Sequence, residues 1–164
     1  MKKRGWILLL AAVLLLLAAG CGGSEKILST EGVPQEVLQS AQYKAALAEE
    51  TATVIAYNYV PLTDSAPVRA AVKKMQAGED AELRYYNFYD RNDSQGIDGM
   101  RLTVKDGVAA FQEASLTGYG DTVDWENVLY QQAEEIKLNS CGELSLIESM
   151  DHTYIHSLFA AGSL

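Results

Sequence analysis

The chain has 164 residues, one domain's worth by ordinary size and long enough to fold without a disulfide or metal. Thirteen Lys and Arg stand against 22 Asp and Glu, a net charge of −9, and so acidic a chain excludes nucleic acid as a partner because phosphate binding needs a basic face. Two cysteines, Cys21 and Cys141, are too few for a disulfide framework.

The first twenty residues are set apart. Lys2, Lys3 and Arg4 form a positive start, and an unbroken apolar run follows from Trp6 to Ala19. That run matches the apolar region of an export signal and is shorter than the roughly 20 residues that span a bilayer comfortably. It ends in Leu17-Ala18-Ala19-Gly20-Cys21, which resembles the lipobox of bacterial lipoproteins. The family favours Leu at the third position before the cysteine; here Ala18 stands there and Leu17 one place earlier. The resemblance implies export, cleavage before Cys21, and a lipid on the Cys21 thiol that anchors the chain to the membrane outside the cytoplasm. It covers residues 1–23 and says nothing of the remainder.

Without residues 1–20, ten bases face all 22 acids and the net charge falls to −12. Anionic headgroups repel such a domain, so it is expected to stand off the lipid surface. Gly22-Gly23-Ser24 opens a flexible tether that reads as far as Gly32, with an r.m.s. span of roughly 15–20 Å. Residues 33–164 then form a single domain.

Within that domain, a first helix is expected from Pro34 to Glu50, with Val37, Leu38, Ala41, Ala45 and Ala48 on its apolar face. Thr53 to Val60 is β-branched and aromatic and reads as a strand ending at Pro61, although a continued helix also fits. Ser65 is a candidate N-cap, Pro67 fits a first turn, and Val68, Ala71, Val72 and Met75 recur at helical spacing. Lys73, Lys74 and Gly78 suit that helix's end. Leu83 to Tyr89 reads as a strand, Asp90 to Gly99 as a polar loop. Asp106-Gly107 is a two-residue hairpin turn that sets Val104 opposite Ala109 and Leu102 opposite Phe111 on a dry face, with Arg101 opposite Gln112 and Thr103 opposite Ala110 on a wet one. Asp124 is expected to cap a helix with Trp125, Val128, Leu129, Ala133 and Ile136 on its stripe, although Ile136 and Leu138 also fit a strand. Ser140-Cys141-Gly142 reads as a turn, and Leu144, Leu146 and Tyr154 to Phe159 supply the last strands. The expected class is α+β: an antiparallel sheet packed by helices on one face. Element order alone is also compatible with a cone-like fold of the nuclear-transport-factor type, an analogy only.

Few constellations carry chemistry. His152 and His156, four apart with Asp151 and Glu148 nearby, fall short of the three or four ligands of a zinc site. Asp90, Asn92, Ser94 and Asp98 alternate as in a calcium loop, but Gln95 stands where that loop needs Gly and Arg101 where it needs Glu. Cys141 has no partner in its own chain, and no nucleophile elbow or metalloprotease motif occurs. No cofactor is expected. Tyr86 and Phe88 share one face of their strand and are the first candidates for a binding patch, since aromatics contribute much contact area at low entropic cost. The expected function is a membrane-anchored, non-catalytic binding or accessory module of the cell envelope, engaging an envelope protein or a cell-wall partner. Capture of a small solute or metal ion, and an envelope enzyme using Cys141, are the alternatives.

Overall fold

The computed structural model describes residues 27, 29–64, 66–91, 94–133, 135–138, 143–149 and 152–157. Its class is α+β. Two short helices, α1 (Gln35–Gln39) and α2 (Ala41–Ala48), precede β1 (Ala52–Tyr57) and β2 (Val60–Pro61). Helix α3 (Ala66–Gln76) follows, then the long strands β3 (Ala81–Arg91), β4 (Ser94–Lys105) and β5 (Val108–Thr117). A 3-10 turn at Trp125–Asn127 leads to β6 (Gln131–Ala133), β7 (Glu135–Leu138), β8 (Glu143–Ser149) and β9 (His152–Ser157). The main sheet has the order β2-β1-β3-β4-β5-β6, and β7-β8-β9 form a second, antiparallel sheet.

The main sheet is antiparallel except at one junction. Strands β1 and β3 run parallel, Ala52 beside Leu83 and Tyr57 beside Phe88, with α3 as the crossover between them. Parallel neighbours require such a long connection, so the helix between them is a consequence of the pairing. The wholly antiparallel sheet expected from the sequence is corrected in this respect, and so is the placement of the helices. Helix α3 packs Val68, Val72 and Met75 onto Val54, Leu83, Leu102, Val104 and Phe111. Helices α1 and α2 lie on the opposite face, where Val37, Tyr43 and Ala46 join Ile55, Tyr86, Phe88 and Ile97. Ile136 of β7 packs against the α3 side.

Several expectations hold. Helix α3 buries Val68, Ala71, Val72 and Met75, and Lys73 and Lys74 occupy its last turn. Ser65 lies outside the described residues, and the Ala66 N–H donates to Asp64 Oδ1. Asp106 and Gly107 both take positive φ, and the β4–β5 register pairs Leu102 with Phe111 and Val104 with Ala109.

Four expectations fail for physical reasons. The helix read over Pro34 to Glu50 breaks at Ser40, whose backbone is extended and whose hydroxyl caps α2 by accepting from the Tyr43 N–H. The break turns the buried stripe, so Gln42, Tyr43 and Ala46 face inward while Ala41, Ala45 and Ala48 are exposed. The strand read to Val60 reverses at Asn58 and Tyr59, both at positive φ, and Val60 returns to pair with Tyr57. Of the loop read over Asp90 to Gly99, Asp90 and Arg91 belong to β3 and Ser94 to Gly99 to β4, with Arg91 paired to Ser94 and Tyr86 to Gly99. The glycines of that stretch mark close approach rather than turning. A Cβ on Gly96 would strike Leu116 O and the Tyr89 ring, and one on Gly99 would press on Trp125 at 3.1 Å. The helix read from Asp124 shrinks to one capped 3-10 turn, because the chain beyond it pairs with Ala109–Phe111 at the sheet edge. Leu129, expected on its buried stripe, is 84% exposed.

The N-terminal segment joins the fold earlier than its composition suggests. Ile27 forms an antiparallel bridge with Thr63, beyond the end of β2. Ile27, read as part of the flexible tether, is thus paired with the domain.

A charged half-face as candidate site

Strands β3 and β4 place Arg84 and Arg101 directly opposite each other. Like charges at such a position repel. Glu82 lies between them: Arg101 donates from Nε and Nη2 to its two carboxylate oxygens at 3.0 Å each, and Arg84 Nε donates to Oε1 at 2.7 Å. Arg84 Nη1 reaches on to Glu49 Oε1 at 2.9 Å, just past the end of α2. Glu49 also accepts from the Tyr86 hydroxyl at 2.8 Å and from Thr53 Oγ1 at 3.0 Å. Trp125 Nε1 donates to the Tyr86 oxygen at 3.0 Å. One chain of charge-assisted hydrogen bonds thus runs from the buried indole to the half-exposed guanidinium of Arg101.

The periodicity of the strands puts this chain on the same face as Phe88 and Ile97, beyond the cover of α1 and α2. The side chains of Glu82, Arg84 and Arg101 remain 22–23% exposed. Arginine suits the position because its planar fork pairs with a carboxylate and keeps further donors for a ligand. Beside them Gln112 is fully buried; its amide nitrogen donates to Trp125 O at 2.7 Å and Val128 O at 2.6 Å, pinning the Trp125 turn over the sheet. The expected wet face of the β4–β5 hairpin is thus buried at Gln112 and half-open at Arg101 and Thr103.

Electrostatics follow from the geometry. Burial pushes the Glu82 carboxyl up, but the hydrogen bonds and charges of Arg101 and Arg84 outweigh it and hold the group below its ordinary range. Burial is also the main cause that pushes the Tyr86 hydroxyl up to about 12; its bond from Trp125 opposes this and Glu49 adds to it. The array joins the carboxyl groups of Glu49 and Glu82, the guanidinium groups of Arg84 and Arg101, and the Tyr86 phenol. Its ion pairs share the Glu82 and Glu49 carboxyl groups, so Arg84 and Arg101 are linked through a common set of acceptors.

Of the site residues read from sequence, Tyr86 and Phe88 are corrected as an exposed patch. They are 1% and 0% exposed, because α1, α2 and Trp125 cover them, and the ring of Phe88 meets Tyr43 and Tyr119. Only the Tyr86 hydroxyl reaches the charged array. Asp90, Ser94 and Asp98, read as possible calcium ligands, are spread along the β3–β4 ladder, opposite Gln95, Arg91 and Asn87. Among the described residues no three acidic, His or Cys side chains gather in a metal-binding group. His152 and His156 lie on β9 opposite Ser149 and Leu144. Cys21, Cys141 and Asn92 lie outside the described residues. Glu49, Glu82, Arg84 and Arg101 were not read as a site; Glu82 and Arg84 alternate along β3, but their meeting with Arg101 follows only from the β3–β4 register.

A shallow cleft of about 260 Å³ lies where Pro67, Ala70 and Lys74 of α3 meet Ala52, Ala81 and Glu82. It is smaller than the usual ligand pocket. Among the described residues no helix is long and apolar enough to cross a membrane. No family model, curated protein or solved structure matches the chain.

Proposed function

We propose that the chain is an exported bacterial lipoprotein, anchored outside the cytoplasm by lipid on Cys21, and that its domain is a non-catalytic binding module for an envelope protein or cell-wall partner. The observation that carries the anchor is the succession of three basic residues, a 14-residue apolar run and small residues ending at Cys21. Ile27, six residues after Cys21, is bridged to Thr63. Six residues span at most about 20 Å, so a lipid on Cys21 would hold the β2 edge of the sheet close to the membrane. Two or three acyl chains give a firm anchor, where one gives only reversible binding.

The charged half-face supports the binding role. Its ion pairs are half-exposed, rigidly placed on long strands, and tied to the core through Tyr86 and Trp125. Mass spectrometry of the native protein tests the anchor: the Cys21 peptide carries diacylglycerol and begins the mature chain. An unmodified Cys21 within a longer chain contradicts it. Cross-linking in intact cells tests the module: one dominant partner is recovered with the wild type and lost with Cys21→Ala. No reproducible partner shifts the reading to solute capture or catalysis.

A further inference from the structure

The other face of the sheet, at the end away from α3, holds a second group of polar side chains. Tyr85 and Asn87 follow each other at i and i+2 on β3, and Asp98 lies directly opposite Asn87. Tyr85 is 6% exposed and Asn87 fully buried, yet among the described residues the Tyr85 hydroxyl and Asn87 Nδ2 have no hydrogen-bond partner. Orphaned buried donors are rare and call for an explanation. Asp98 is half-buried and accepts from the Ser115 hydroxyl at 2.9 Å.

The rim of this group is strained and fixed. Tyr59 stands at φ 65°, a left-handed conformation that bulky residues avoid and that clusters at ligand clamps. Asn87 Oδ1 holds it there by accepting from the Tyr59 N–H at 2.8 Å, and the Asn58 N–H donates to Phe88 O at 2.8 Å. The Arg91 guanidinium lies 4.3 Å over the Tyr59 ring. Tyr59 is 45% exposed and Arg91 exposed, so their stack is the solvent side of the group. Burial, then the fields of Tyr59 and Asp98, push the Tyr85 hydroxyl well above its ordinary range, against the pull of Arg91.

We propose that this end of the sheet is a saccharide-binding site, with Tyr59 as the stacking platform and Asn87, Tyr85 and Asp98 as its hydrogen-bonding floor. Each sugar hydroxyl both donates and accepts. It matches a floor that offers an amide donor, a phenol of either sense and a carboxylate acceptor. The C–H face of a pyranose suits an aromatic ring. The charges of Arg91 and Asp98 offset each other, which favours a neutral ligand over an anion. The sugar takes the ring face that Arg91 covers, so binding displaces the guanidinium and opens the way to the orphaned donors. The site is separate from the charged half-face and does not depend on the anchor.

The test is calorimetric titration of the full mature chain, in detergent, with chitotetraose and with maltotetraose. Saturable binding of at least one is expected, weakened at least tenfold by Tyr59→Gly and by Asp98→Ala. Glycine accepts the positive φ at residue 59, so that variant keeps its melting temperature while losing the ring. Failure of the folded wild type to bind either oligosaccharide overturns the proposal. Binding that survives both substitutions also overturns it, by placing the sugar elsewhere. Mass analysis of Cys21 in the same sample reports on the anchor separately.

Discussion

The face of the sheet under α1 and α2 divides into two halves that do different work. In one, Ile55, Phe88 and Ile97 are sealed by Val37, Tyr43 and Ala46. In the other, Glu82, Arg84 and Arg101 stand half-open, linked by carboxylate–guanidinium bonds. The two meet at Tyr86, whose ring belongs to the sealed half and whose hydroxyl belongs to the charged one. Burial of apolar area stabilises the first in proportion to the surface removed from water. The second gains little from its ion pairs, because partial exposure screens them. Stability therefore resides mainly in the sealed half.

Phe88→Ala strikes the sealed half and gives the largest effect. The loss of a fully buried ring is expected to cost about 3–5 kcal/mol in chemical denaturation. A loss under 1 kcal/mol would show that this half is not the source of stability. Gly99→Val strikes the boundary. Its Cβ already meets Trp125 at 3.1 Å, so overpacking costs about 1–3 kcal/mol and red-shifts Trp125 emission as the indole lifts from Tyr86.

Glu82→Gln removes the carboxylate between two opposed arginines and is expected to cost about 1–2 kcal/mol, partly screened by solvent. Its pH signature sharpens the comparison. The folded-state pKa of Glu82 is depressed, so its contribution is complete above the ordinary carboxylate pKa of about 4.3 and is lost as pH falls through the lower folded value. Melting curves from pH 7 downward should show a shallower decline in Glu82→Gln than in wild type; identical slopes would count against the ion-pair geometry. Ser40→Ala, which removes only the α2 cap, ranks last at about 1 kcal/mol.

Sequence reading reached some of this and missed the rest for identifiable reasons. The Asp106-Gly107 turn and the α3 stripe were legible because both are local: two positive-φ residues and an i, i+3, i+4, i+7 pattern. The β1–β3 pairing was not, since nothing in Thr53–Tyr57 says which strand lies beside it or in which direction. Gly96 and Gly99 looked like loop residues, although they serve close contact with Tyr89 and Leu116 on the flanking strands and with Trp125 farther along the chain. That error hid the β3–β4 register, and the register alone brings Arg101 to Glu82 and Arg84. Tyr86 and Phe88 were correctly placed on one face, but a strand pattern does not say which face two broken helices will cover.

We propose that a protein partner docks on the charged half-face, separately from the sugar at the Tyr59 end of the opposite face. A photo-cross-linking amino acid at Thr103, half-buried beside Arg101, and another at Lys73, exposed on α3, compare the two directly in intact cells. The account predicts one dominant adduct from position 103, abolished by Cys21→Ala, and none from position 73. An adduct from position 73 alone, or equal adducts from both, would contradict it.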